Sequence, residues 1–122
     1  MSVVRGIRGA ITVDRDDQHL IMEATQRLLL TLVERNEIVP DDIASALFTV
    51  TPDIVSQFPA AAARSIGWTL VPMLNFTEIG VPGGLARCIR VMVHVNTEKS
   101  PAEIVHVYLE GATVLRPDLN RT

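Results

Sequence analysis

Cys88-Ile89-Arg90-Val91-Met92-Val93-His94-Val95 is the stretch on which the fold turns. A period of two puts Ile89, Val91, Val93 and Val95 on one face of a strand and Cys88, Arg90, Met92 and His94 on the other. The all-aliphatic face belongs against a core, so Arg90 points away from it. A guanidinium in the middle of an otherwise apolar strand has to be solvated by something. A carboxylate such as Glu78 or an anion bound in a wet cleft would each do so, and the pattern alone leaves both open.

Just upstream, Gly80-Val81-Pro82-Gly83-Gly84 is too rich in glycine for regular structure and reads as a loop. Downstream, Ser100-Pro101-Ala102-Glu103 is a capping box with proline at the first helical position. Beyond that turn Ile104 to Leu115 is ambiguous. Ala112 to Leu115 favours a closing strand, and Arg116-Pro117-Asp118-Leu119 is expected to end the ordered chain. At the other end Val3 to Val13 reads as a strand with two close-approach glycines, Gly6 and Gly9, and with Arg5 and Arg8 on opposite faces. Asp14, Asp16 and Asp17 supply an N-cap and first-turn acids to a long helix whose Ile21, Ala24, Leu28 and Leu32 recur at helical spacing until Asn36.

Pro40-Asp41-Asp42-Ile43 suits a short helical turn, and Ala46 to Val50 a strand. Thr51-Pro52 and Phe58-Pro59 each place proline where a helix can start. The second continues into Ala60-Ala61-Ala62-Ala63-Arg64, which Gly67 can end in the left-handed conformation. Trp68 to Met73 is expected to be a short strand.

Together these elements predict an α+β fold: a mixed sheet of about five strands with one long helix and short helices packed on one face. Its 122 residues fit one domain, 1–122, on the usual ~100–200 residues per domain. With 48% hydrophobic and 20% charged residues and a mean hydropathy of +0.27, disorder is excluded. A domain this small buries roughly two-thirds of its unfolded surface, which leaves apolar side chains over for a subunit interface. A second copy of the chain is the economical cover for the bare sheet face.

A net charge of −3 without a basic run argues against a sequence-independent grip on nucleic acid or an anionic membrane. The apolar run from Leu28 to Val33 is interrupted by Thr31 and far short of the ~20 residues of a membrane span. The N-terminus has no extended hydrophobic segment of the signal-peptide kind, and the single Cys88 permits no internal disulfide, so a cytoplasmic location is expected. His19, His94 and His106 are scattered without metal-ligand spacing, and no metal site is expected. There is no nucleophile elbow, no dinucleotide fingerprint, and the glycine loop lacks the lysine and hydroxyl of a phosphate-binding loop.

Ten of the eleven cations are arginine. Codon preference accounts for the ratio, so the placement of the arginines carries the information. Arg8, Arg64, Arg90 and Arg116 fall on structured segments, with Glu78 and Tyr108 as further candidates. Taken singly, Arg64 and Arg116 read more readily as surface ion-pair partners than as ligand contacts.

Arg5-Gly6-Ile7-Arg8-Gly9-Ala10, Phe58-Pro59-Ala60, Arg64, Gly83-Gly84-Leu85, Cys88-Ile89-Arg90-Val91-Met92, His106-Val107-Tyr108-Leu109 and Leu115-Arg116-Pro117-Asp118-Leu119 occur in this order. In motifs and spacing, from about Val3 to Leu119, the chain resembles the small monofunctional chorismate mutases of the trimeric pseudo-α/β-barrel class. The resemblance implies conversion of chorismate to prephenate on the route to phenylalanine and tyrosine, without cofactor or metal, in a homotrimer with clefts between subunits. It implies that Arg90 donates to the substrate's ether oxygen and a carboxylate, that Arg8 binds a carboxylate, and that Tyr108 fixes the enolpyruvyl side chain. Glu78 and Asn75 would meet the ring hydroxyl. Phe58, Ala60, Met73, Leu74 and Leu115 would line the walls, and Arg64 and Arg116 the rim.

Two positions depart from the family pattern. Ala61 stands where a lysine is frequent, and Asn75 where a cysteine is frequent. Two rival readings are a trimeric imine deaminase of similar subunit fold and a non-catalytic trimer that binds small carboxylates. Only the mutase would consume chorismate.

Overall fold

The computed structural model describes residues 2–116. Strands β1 (Val3–Thr12), β2 (Ile43–Val50), β3 (Met73–Thr77), β4 (Cys88–Thr97) and β5 (Val107–Leu109) form one sheet in the order β3-β2-β4-β1-β5. The central strand is β4, antiparallel to both β1 and β2, while β5 adds to β1 and β3 to β2 in parallel. Two helices, α1 (Gln18–Asn36) and α2 (Pro59–Ser65), cover one face. The mixed α+β architecture read from the sequence is therefore the one observed.

The aliphatic side of β4 is the buried one: Ile89, Val93 and Val95 are fully enclosed and Val91 nearly so. Ile21, Leu28, Leu29 and Leu32 of α1 and Ala60 and Ala63 of α2 join them in one core with Phe48 and Trp68. Gly9 makes this packing possible. A Cβ there would stand 3.1 Å from Val91 Cγ1 and 3.2 Å from Leu28 Cδ1, so the missing side chain lets α1 close on the sheet.

Asp17 caps α1, its carboxylate accepting from the Leu20 N–H at 3.0 Å, and that hydrogen bond holds the carboxyl below its ordinary range. At the other end Asn36 is buried and joins the helix to the segment before β5. Its Nδ2 donates to the Val105 carbonyl at 2.8 Å and its Oδ1 accepts from the Val105 N–H at 2.8 Å. Asn36→Leu keeps most of the volume but strands both Val105 groups. It is expected to lower stability by about 1–3 kcal/mol. The reading is a lower urea midpoint at unchanged slope, and an unchanged midpoint would show the bridge to be dispensable.

Three local expectations are corrected. Trp68 to Met73 is not a strand: Gly67 turns at φ +101, the Trp68 N–H is spent on the Ala63 carbonyl at the end of α2, and the indole enters the core. Pro72 has no N–H for a ladder, so pairing starts at Met73, and β3 is an exposed edge strand that sequence alternation does not reveal. Ala112 to Leu115 is not the closing strand either. That role falls to Val107–Leu109, after which Glu110 adopts φ 53 and a 3₁₀ turn runs over Glu110–Val114. Gly111 fits against Thr12, where a Cβ would come within 2.9 Å of Oγ1, and its N–H donates to that oxygen. Finally, Thr51-Pro52 opens only a turn, closed by the Ile54 N–H on the Thr51 carbonyl. The Pro117-Asp118-Leu119 part of the C-terminal motif lies outside the described residues.

Candidate active site

The face of the sheet away from the helices carries a row of side chains fixed by strand register. Thr49 on β2 is the partner of Arg90 on β4, Arg90 of Ala10 on β1, and Ala10 of Tyr108 on β5. One pleat away, Arg8 on β1 faces Met92, Met92 faces Leu47, and Leu47 faces Leu74 on β3. Arg90, Arg8 and Tyr108, far apart in sequence, thus share one surface because a two-residue period repeats across antiparallel and parallel neighbours alike.

Arg90 meets its charge requirement through Glu78. Its Nε lies 3.0 Å from Glu78 Oε2, with the arginine side chain 34% exposed and the glutamate 17%. The same carboxylate oxygen accepts from Thr49 Oγ1, and the Glu78 N–H donates to the Val50 carbonyl at 2.8 Å. Close as it is, the Arg90 Nε–H is not aligned on the carboxylate, so this buried donor has no hydrogen-bond acceptor among the described residues. The Tyr108 hydroxyl is likewise buried without a partner among the described residues. Orphaned buried polar atoms are costly, and two on one sheet face make it the candidate site.

A cavity of about 370 Å³ is lined by Glu78 and Arg90, by Thr51 to Asp53, and by the glycine-rich loop at Gly80 and Gly84. That volume lies in the ~300–1,000 Å³ range of small-molecule sites. Asp53 pins the far end of the loop: its carboxylate accepts from the Arg87 N–H and from the Thr51 hydroxyl, which holds its pKa below the ordinary value. Arg87, at φ 48, turns the chain there into β4.

Behind Arg90, Cys88 packs with Ala10, Tyr108 and Ala112 in a small cluster that Leu85 and Leu115 cover. Burial pushes the Cys88 thiol up to about 11. An unfolded thiol ionises at lower pH, so the unfolded state binds fewer protons above its own pKa. Stability is therefore expected to fall as pH rises from about 9 towards 11, and Cys88→Ala should remove that slope in urea titrations. A slope that persisted in the variant would assign the alkaline loss elsewhere.

Of the other expected residues, Arg8 is half-buried, with its N–H donating to His106 Nδ1 at 2.9 Å, and Arg116 is half-buried next to Leu115. A second set gathers at α2 and β3. Phe58, 65% exposed, precedes α2, Ala60 is buried in its first turn, and Arg64 is exposed in its last. Asn75 Oδ1 accepts from the Ala60 N–H at 3.1 Å, so the asparagine caps α2. Met73 is half-buried and Leu74 exposed. Phe58 and Asn75 line a separate cavity of about 260 Å³ that shares no residue with the one at Arg90. One chain therefore brings together Arg90 and Glu78, with Tyr108, Arg8 and Leu115 on the same side. It does not bring Phe58, Ala60, Arg64 or Asn75 to them. Thr49 escaped the sequence reading, since a threonine in a strand carries no mark of what its hydroxyl bonds.

Against known proteins, the family model described as chorismate mutase type I matches residues 4–119. The chain belongs to the type I chorismate mutases. It is 46% identical over 121 residues to chorismate mutase AroH of Bacillus subtilis, covering 98% of this chain and 95% of that protein. To chorismate mutase AroH of Thermus thermophilus it is 50% identical over 118 residues, 96% and 97% of the two chains. A solved chorismate mutase from Clostridium thermocellum superposes with a TM-score of 0.89 at 50% identity, over 90% of this chain and 98% of that one. As a chorismate mutase the chain is an isomerase, and neither the imine deaminase nor the non-catalytic reading finds support.

Proposed function

We propose that this chorismate mutase rearranges chorismate to prephenate in a cleft that two subunits of a homotrimer complete, with Arg90 as the principal catalytic residue. The reaction is an intramolecular Claisen rearrangement: the ether carbon–oxygen bond breaks as a carbon–carbon bond forms, electrons shift within one molecule, and no proton or nucleophile is needed. A catalyst has two tasks. It must hold the flexible dianion in its compact reactive conformer, and it must stabilise negative charge growing on the ether oxygen. The observation that carries the reading is the unaligned, buried Nε–H of Arg90, a charged donor held by Glu78 and without an acceptor among the described residues.

In this reading Arg90 donates to the ether oxygen and a neighbouring carboxylate, and Arg8 binds a carboxylate. Tyr108 gives its orphaned hydroxyl to the enolpyruvyl group, and Glu78 accepts from the ring hydroxyl. Leu115 walls the cleft and Arg116 stands at its rim. Phe58, Ala60, Arg64, Met73 and Asn75, which gather at α2 and β3 away from Arg90, come from the adjoining subunit, together with Leu74 on the bare face of β3. The capping bond of Asn75 to Ala60 leaves its Nδ2 as the group with which to reach substrate.

The trimer is supported by the bare sheet face, where Leu74 is 58% and Phe76 46% exposed beside half-buried Leu47 and Met92. The whole chain acts as one chorismate mutase domain. The reduced, buried Cys88 suits a cytoplasmic site of action, and among the described residues no helix is long and apolar enough to cross a membrane.

Purified protein mixed with chorismate alone should deplete its ultraviolet absorbance, and light scattering should return three times the chain mass. A fully active monomer would overturn the shared cleft. Tyr108→Phe adds a sharper expectation: stability unchanged or slightly raised, because a buried unpaired hydroxyl is lost, with kcat/KM lower by about 5–30-fold. Wild-type kcat/KM in that variant would remove Tyr108 from the site.

A further inference from the structure

We infer that Thr49 is a positioning residue for the rearrangement: its hydroxyl holds the Glu78 carboxylate in an orientation that keeps Arg90 available to substrate. The inference rests on the reading of Arg90 given above. Glu78 opens the loop after β3, next to Ile79, which is 90% exposed, and near Gly80. A carboxylate on so open a segment needs anchoring if it is to present one geometry. Both anchors come from β2: the Val50 carbonyl takes the Glu78 N–H, and the Thr49 hydroxyl donates to Oε2. Thr49 is also the register partner of Arg90, so strand pairing sets acid, hydroxyl and guanidinium in one group.

The geometry of that group explains what the hydroxyl does. An arginine and a carboxylate left to themselves prefer a two-point fork, with parallel N–H···O bonds. Here the pair is a one-point approach at 3.0 Å whose Nε–H is off line. The competing O–H on Oε2 holds the carboxylate off the fork. Without it, Glu78 is free to rotate and close on Arg90, occupying the donors that the ether oxygen requires. As a β-former valine would serve as well as threonine at this half-buried position, so strand propensity alone does not call for the hydroxyl.

Thr49→Val, similar in shape and without the hydroxyl, is expected to lower kcat about tenfold with KM changed less than about threefold, as small misplacement of a catalytic group does. Thr49→Ser should restore kcat to within about twofold of the wild type. In a Glu78→Ala background, which leaves the hydroxyl no side chain to hold, Thr49→Val should add nothing further. Equal losses in both backgrounds, or failure of serine to rescue a well-folded variant, would reduce Thr49 to a structural residue and overturn the inference. A wild-type kcat in Thr49→Val would do the same. If Arg90→Lys remained fully active, the underlying site reading would fall instead, so the two failures are distinguishable.

Discussion

Arg90→Lys is expected to lower kcat by about 10²–10³-fold, the cost of removing one preorganised donor to a developing oxyanion. KM should move much less. Lysine keeps the positive charge, so the general attraction of a dianion survives, but its single ammonium cannot hold a substrate oxygen in the planar, directed manner of a guanidinium. The strand should tolerate the change, because the side chain lies on the bare face and is one-third exposed. Steady-state kinetics on folded protein checks this, with a melting curve as control. Loss of kcat and of kcat/KM in equal proportion would identify an interaction made only in the transition state. A near wild-type turnover would show that another group meets the ether oxygen, and the mechanism built on Arg90 would have to be abandoned.

Arg8→Ala is expected to act in the opposite sense, raising KM by about 10–100-fold with kcat changed only a few-fold, as loss of a hydrogen bond to a charged group does. Arg8 shares the bare face with Arg90 but lies one pleat away, beyond the lining of the Arg90 cavity. That separation from Arg90 suits capture of a carboxylate rather than stabilisation of the ether oxygen. The backbone of Arg8 is held by its β4 partners and by its N–H on His106, neither of which the substitution touches, so stability should be kept. The loss should also shrink as ionic strength rises, because salt weakens the long-range part of the wild-type attraction. An unchanged KM would assign the substrate carboxylate to a different cation, with Arg64 and Arg116 the first to test.

Much of this was legible in the chain itself. Alternation from Cys88 to Val95 placed Arg90 on the bare face, helical spacing ran α1 to its observed end at Asn36, and the capping box at Ser100 appears as written. These signals are local, and buried faces write them strongly. The weaker readings share a cause. β3 is an exposed edge strand with no alternation to find, and β5 has only three residues. The run at Trp68 carries apolar residues because its indole enters the core from a bend, not from a strand.

The site divides along the same line. Residue types and their order offered Arg8, Arg64, Arg90 and Arg116, with Glu78 and Tyr108, as candidates, since a strand period assigns faces and a family pattern assigns roles. Long-range contacts are another matter: pairing of Thr49 with Arg90, of Ala10 with both Arg90 and Tyr108, and the return of Glu78 to β2 join segments tens of residues apart. Only tertiary structure decided that the Arg90 Nε–H is not aligned on Glu78, that the Tyr108 hydroxyl is buried without a partner among the described residues, and that Phe58 and Asn75 stand around a different cavity. The physical reason is range. Periodicity and capping act between near neighbours, whereas hydrogen-bond alignment depends on where the closed sheet brings distant atoms.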